Sequence, residues 1–371
     1  MPRTAVFAAT ALAASALLSS ALGQSLTTIG FASPQTGSRI YGLSDDGRSA
    51  AGCNIGFGNR ALHWTVDGGR DDFGNPIPQY SSVAQGISGD GVYAVGYRYT
   101  PEHLGSRAVR FNTITRQYDE MGIRSGWYAS RASAASGDGH VVVGQSYSEN
   151  SYNSQRAFVW TPQSGYRDIG ILPGMFFSEA NAVSRDGSMI VGSSTGGVSR
   201  GYTWTEESGM VPLADVPGDS QNSQARGMSS DGRIIVGYGQ NYAAVWRDGV
   251  PESLGSFQGY RTLATDCSDD GTVIVGTTQR GSALGDYAII WTRSTGIILL
   301  STYLRSNGVD IPADFGLTDV RVSADGRTFA GMSTTRISGT FLNTGYVATI
   351  PSPSASLLLS LSLAIAPRRR R

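Results

Sequence analysis

Seven aspartates occupy the same place in a recurring pattern, Ser-x-Asp-Gly-x4-Gly: Asp46, Asp90, Asp138, Asp186, Asp231, Asp270 and Asp325. A carboxylate two residues from a hydroxyl has the groups to ligate a cation or relay a proton. The spacing argues against both uses. The aspartates lie 44, 48, 48, 45, 39 and 55 residues apart, one per repeat, so they cannot converge on one ion. A calcium loop draws about six to eight oxygens from one short segment, and this motif offers two. The reading that needs only local geometry is a turn cap, with Ser and Asp accepting the free N–H groups of a tight turn. The three histidines, His63, His103 and His140, fall in three different repeat slots, so no three-histidine metal centre is expected. Gly-x-Ser-x-Gly is spelled at 192–196 and at 197–201, but a nucleophile elbow needs a helix after its serine and a strand pattern follows here. One set of charges remains as a candidate for acid–base work. Asp266, Asp319 and Arg321 sit in first-strand slots that other repeats fill with small or apolar residues. They belong to adjacent repeats and can meet near an axis, either as the acid and arginine of a polysaccharide lyase or glycosidase or as a structural ion pair.

What would position these residues is the repeat itself. A short alternating stretch precedes each Ser-x-Asp-Gly, and a β-rich tetrad such as Ser188-Met189-Ile190-Val191 separates its two glycines. Two strands around Asp-Gly make a hairpin, because glycine accepts the positive φ of the turn. A third strand follows, with a small residue three places before a large aromatic. The small positions are Ala61, Ala108, Ala157, Gly201, Ala243, Ala288 and Gly345; the aromatic ones are Trp64, Phe111, Trp160, Trp204, Trp246 and Trp291, with Ala348 in the seventh. A fourth element ends in an apolar residue in six repeats, and the seventh repeat lacks one. Its missing copy stands at the other end of the chain, Leu26-Thr27-Thr28-Ile29-Gly30. A ring closed by the N-terminal strand explains that displacement and removes exposed sheet edges. The expected fold is therefore all-β: a seven-bladed propeller of four-stranded blades, the last completed by the N-terminal strand.

In such a ring the loops between second and third strands share one face with the blade-to-blade connections. These segments hold aromatics that the strand slots do not require: Tyr97, Tyr99, Trp127, Tyr128, Tyr147, Tyr152, Phe176, Phe177, Tyr238 and Tyr242, with His103 among them. Aromatics among Ser, Asn and Gly suit sugar or protein recognition, and they also suit packing over blade ends. Tyr99, Trp127, Tyr128, Tyr147 and Tyr152 are the chosen ligand-binding candidates. Cys267 takes a slot filled elsewhere by apolar residues, and Cys53 lies in a non-neighbouring blade, so two buried free thiols are expected.

The 371 residues contain 29 arginines and no lysine. Without Arg3 and Arg368 to Arg371, 24 arginines face 29 acids, a net charge of −5 that argues against a nucleic-acid partner. Residues 1–23 read as a secretory signal: Arg3, an apolar run, then Ala21-Leu22-Gly23 as a cleavage site. At the other end, Pro351 and Pro353 precede an apolar run from Ala355 to Ala366 and four terminal arginines. Twelve residues at about 1.5 Å each fall short of the ~30 Å hydrocarbon core, which fits transient rather than permanent membrane contact. This tail resembles the PEP-CTERM sorting segment of bacterial surface proteins, with Ser352 where that family has Glu. The resemblance implies export and sorting machinery of the exosortase type. Residues 24–350 form the propeller unit. Within it, Arg156-Ala157-Phe158-Val159-Trp160, Arg167-Asp168-Ile169-Gly170 and Ala180-Asn181-Ala182-Val183-Ser184-Arg185-Asp186-Gly187 resemble the extracellular HAF-type repeat family. That resemblance implies a secreted propeller-like module with no general catalytic residues. The expectation is thus an exported monomer, without cofactor, metal or catalysis, that binds exopolysaccharide or surface proteins through one loop face. The competing expectation is a secreted enzyme acting on polysaccharide.

Overall fold

All seven Ser-x-Asp-Gly segments fold into the same turn. The serine hydroxyl donates to the aspartate Oδ1 at 2.5–2.8 Å. That oxygen also accepts the N–H two residues beyond the aspartate, at 2.9–3.0 Å. The serine oxygen accepts the N–H five residues beyond the serine, at 2.8–3.1 Å. The motif glycine takes φ between 62° and 76°, the left-handed region open to a residue without Cβ. The seven aspartates are turn caps.

The turns organise a seven-bladed β-propeller, seen in a computed structural model that describes residues 25–30, 37–73, 80–103, 105–148, 154–218, 222–279, 286–337 and 340–350. Each blade is an antiparallel sheet of four strands. The innermost strands of blades one to seven are Gly37–Leu43, Ser82–Ile87, Ala129–Ala135, Phe177–Val183, Gln224–Met228, Arg261–Cys267 and Phe315–Val322. Each touches the next, and the seventh closes on the first. The outermost strand of blade seven is Ser25–Ile29, which pairs Ser25 with Thr349 through Ile29 with Gly345. The ring is closed by the N-terminal strand.

Among the described residues there is no single core. Buried apolar side chains fall into seven clusters, each drawn from two neighbouring blades. The small-then-aromatic pairing of the third strand serves these seams from both sides. Trp64 packs toward blade seven, while Ala61 lies against blade two. In five blades a serine on or just before the next innermost strand accepts the backbone N–H of the small residue. Ser82 takes that of Ala61, Ser130 of Ala108, Ser178 of Ala157, Ser223 of Gly201 and Ser38 of Gly345, at 2.9–3.1 Å. One helix, Leu300–Ser306, was not expected; it buries Leu300 and Leu304 over the seam between blades six and seven. Cys53 and Cys267 are buried and free.

The strand directions put the seven Asp-Gly turns on one face and the second-to-third-strand loops with the blade connections on the other. Both ends of the described propeller lie on the turn face: Ser25 pairs with Thr349, and the Ile350 N–H donates to the Arg327 carbonyl beside the blade-seven turn.

Candidate functional site

The innermost strands do not simply alternate. In every blade the ladder with the second strand skips one residue, a β-bulge that re-aims the skipped side chain. The skipped residues are Tyr41, Gln85, Ser133, Asn181, Arg226, Thr265 and Thr318. All seven line a central cavity of about 410 Å³. The last glycine of each motif seats the bulge. A Cβ built on Gly52, Gly96, Gly144, Gly192, Gly237, Gly276 or Gly331 would sit 1.9–2.1 Å from a carbonyl oxygen of the innermost strand. One sequence motif therefore makes both the turn and the ring of channel-facing groups.

Charges flank this ring. Arg39 donates to Asp319 from Nε at 3.1 Å and Nη2 at 2.6 Å, and Arg226 pairs with Glu179 at 3.3 Å. Burial lifts the Tyr41 hydroxyl to about 12, and Arg39 lies over its ring at 4.6 Å. Arg321 donates from Nε to the Tyr41 carbonyl at 2.9 Å and from Nη1 to the Val320 carbonyl at 3.1 Å. Asp266 is partly buried, and burial pushes it up to about 6 against the pull of Arg321. Its two oxygens accept the Cys267 and Val322 N–H groups at 2.9 and 3.1 Å. Thus Asp266, Asp319 and Arg321 do gather near the axis, but each is engaged with the backbone or an ion-pair partner. Sequence reasoning missed Arg39, Glu179 and Arg226. Aligning the repeats five and seven residues before the motif aspartate would have found them.

The turn face of the channel is ringed by hydrogen bonds between neighbouring blades. Six of the residues between Ser and Asp, with Asp90 acting for blade two, donate an N–H to the same region of the next blade. The series runs from Asp45 to Gly89, Asp90 to Gly137, Gly137 to Arg185, Arg185 to Ser230, Ser230 to the Asp269 carboxylate, Asp269 to Ala324 and Ala324 to Asp45, at 2.8–3.0 Å. Arg185 of blade four reaches Asp45 of blade one at 3.0 Å. Because those blades are not neighbours, the pair crosses the opening.

At the loop-face rim, Tyr99 and Tyr147 converge with Tyr97 on Arg131. Its guanidinium lies 4.5 Å over Tyr97 and 5.3 Å over Tyr147, and its Nη2 donates to the Tyr99 hydroxyl at 3.4 Å. Burial raises the pKa values of Tyr97 and Tyr147. Trp127 and Tyr128 lie on the connection from blade two to blade three. Arg124 covers the Trp127 ring at 5.0 Å, and the Tyr128 ring packs against Gly105. These two serve packing at least in part. Tyr152, Pro351 and Pro353 lie outside the described residues, as do the segments 1–23 and 351–371. More exposed rim aromatics are Phe57, Phe176 and Phe341, of which only Phe176 was among the expected ones. The histidines stay apart: His63 is buried against Ser49, His103 pairs with Glu120 at 3.8 Å, and His140 follows the blade-three turn. Among the described residues no group of three His, Cys, Asp or Glu side chains could hold a metal ion.

No family model and no curated protein sequence matches this chain. Solved structures do. An oligogalacturonate lyase in complex with manganese superposes with a TM-score of 0.55 at 12% identity, covering 90% of this chain and 98% of its own. The oligogalacturonate lyase of Vibrio parahaemolyticus gives 0.52 at 10% identity, covering 89% and 97%. A prolyl endopeptidase gives 0.53 at 9% identity over 94% of this chain and 55% of its own. At such identities the shared property is the propeller fold.

Proposed function

We propose that this chain is an exported, non-catalytic propeller module of a bacterial surface or extracellular matrix, binding a glycan or protein partner through the loop face and the channel opening there. The observation that carries the reading is the state of the channel's carboxylates. Glu179 and Asp319 line the cavity, and each is ion-paired with an arginine. Asp266, the acid with a raised pKa, has both oxygens committed to backbone N–H groups. A general base must reach its proton directly or through one water, and these carboxylates are already committed to partners. The same residues hold the blades together, which accounts for them without turnover.

Ile350, the last described residue, lies on the turn face beside Arg327, so a molecule tethered through the residues after it would present its loop face outward. The test is fractionation of cells expressing the full chain, with intact mass of the released form and a binding screen against matrix glycans and surface proteins. A cytoplasmic protein would overturn the location. Cleavage of a polysaccharide that is lost in Asp319→Asn would overturn the non-catalytic assignment and favour the lyase or glycosidase alternative.

A further inference from the structure

Four arginines reach the channel and its rim, Arg39, Arg131, Arg226 and Arg321, against two ion-paired carboxylates. Asp319 takes Arg39, and Glu179 takes Arg226. Arg131 and Arg321 have no carboxylate within 4.0 Å among the described residues. Arg131 rests on tyrosine rings, and Arg321 donates only to two backbone carbonyls. Asp266, whose oxygens accept the Cys267 and Val322 amides, offsets part of the Arg321 charge, so four arginines stand against three carboxylates. This surplus of positive charge lies at the centre of a propeller whose net charge is −5. A recessed site opposite in sign to its surroundings concentrates anions.

We infer that the channel is a receptor for a carboxylate-bearing oligosaccharide, with Arg321 and Arg131 as the groups that meet its acid functions. The inference rests on the binding reading above and names its ligand class. An arginine fork matches a carboxylate in two parallel hydrogen bonds. The two arginines belong to blades seven and three, so they approach the channel from different sides of the ring. Between them the bulge ring offers the hydroxyls of Ser133, Thr265 and Thr318 and the amides of Gln85 and Asn181. Leu263 is the one wholly aliphatic lining side chain among the described residues. A peptide binder of this size would be expected to show apolar anchor pockets instead. The volume of about 410 Å³ lies within the ~300–1,000 Å³ usual for ligand sites.

The experiment is titration calorimetry on the full chain with three probes: hexuronic-acid oligosaccharides, the same sugars carboxyl-reduced to neutral, and a glutamate-rich peptide of equal charge. The acidic sugars should bind, at least about tenfold more tightly than the reduced ones, and more weakly as salt rises. Arg321→Gln and Arg131→Gln should each lower affinity by about ten- to a hundredfold. Arg321 bridges blades seven and one, and Arg131 reaches from blade three to Tyr97 and Tyr99 of blade two, so each variant is read together with its thermal midpoint. Equal binding of the reduced sugars would leave the binding reading standing and overturn the carboxylate assignment. So would tighter binding of the peptide, or unchanged affinity in the folded Arg131→Gln protein. Cleavage of the acidic sugars would overturn the binding reading itself.

Discussion

Replacing Ser229 by alanine tests the turn that repeats through the whole molecule. Ser229 is 1% exposed, so no water replaces its hydroxyl freely. It donates to the Asp231 Oδ1 at 2.7 Å and accepts the Ile234 N–H at 3.0 Å. The aspartate is exposed and can turn to solvent, so that lost bond costs little more than ~1 kcal/mol. The Ile234 amide is the dearer loss, since an unsatisfied buried donor costs about 1–3 kcal/mol. Alanine fits the space, so no cavity term is added. The expected destabilisation is about 2–3 kcal/mol by urea unfolding, while the exposed Ser208→Ala should stay within ~0.5 kcal/mol. Ser44 makes the same two bonds in blade one. Because blades one and five are not neighbours, the Ser44→Ala and Ser229→Ala effects should add to within ~0.5 kcal/mol. A Ser229→Ala protein as stable as the parent would refute the capping account for the entire motif.

Closure predicts that Ile29→Ala, at a site 2% exposed and packed with Ile40, Leu62, Trp64 and Val347, costs about 2–5 kcal/mol. Deleting 351–371 should leave the thermal midpoint unchanged, and equal losses from the two changes would defeat the closed-ring account. Seating of the bulge predicts that Gly192→Ala, whose Cβ would lie 1.9 Å from the Glu179 carbonyl, destabilises by about 1–3 kcal/mol or more. Gly30→Ala, with nothing within 4 Å, should be silent in the same melt. Asp266 stands at about 6 in the fold against an ordinary 3.8, so the folded state holds its proton longer than the unfolded one. Its contribution is therefore greatest in acid and falls by about 3 kcal/mol as pH rises from about 4 to about 6. Asp266→Asn should lose that fall, and parallel stability–pH curves for the two proteins would show the carboxyl is not buried as described.

The blade count, the strand order and the split seventh blade were legible because a repeat samples the same environment seven times. Ser44 or Asp46 alone says little; the same pair at seven places leaves only a role that every blade shares. The channel was harder to read for the same reason. A bulge shifts the alternation by one residue, so counting by twos from the motif points Tyr41, Gln85 and Arg226 the wrong way. The signal was present in the final glycine of the motif, whose constancy across the repeats reflects the carbonyl pressed against Gly52, Gly96 and their counterparts. Helix Leu300–Ser306 was hidden because it occurs once, in the 55-residue interval between Asp270 and Asp325. Rim aromatics such as Tyr99 and Trp127 could be placed on a face from sequence, but not sorted into packing and recognition. That sorting depends on which arginine lies over each ring.

The charges that looked most like chemistry are better understood through the seams they occupy. Four residues before the motif aspartate, blades one to five carry Gly42, Gly86, Ala134, Ala182 and Gly227. A Cβ on Gly42 would come within 2.8 Å of the Gly86 Cα, one on Gly86 within 2.7 Å of the Ser133 carbonyl, and one on Gly227 within 2.7 Å of the Thr265 carbonyl. At those seams the innermost strands meet backbone to backbone. Blades six and seven place Asp266 and Arg321 in that slot, and the side chains do the bridging. Asp266 accepts the Val322 N–H of blade seven, and Arg321 donates to the Tyr41 carbonyl of blade one. Asp319 joins the same seam through Arg39. These are also the seams covered by the helix and tied by Ile29, where two chain ends must be brought into register. Polar bridges with defined geometry specify that register more narrowly than apolar contact does. The same construction leaves Arg321 with donor capacity facing the channel, so the device that closes the ring also supplies its cation.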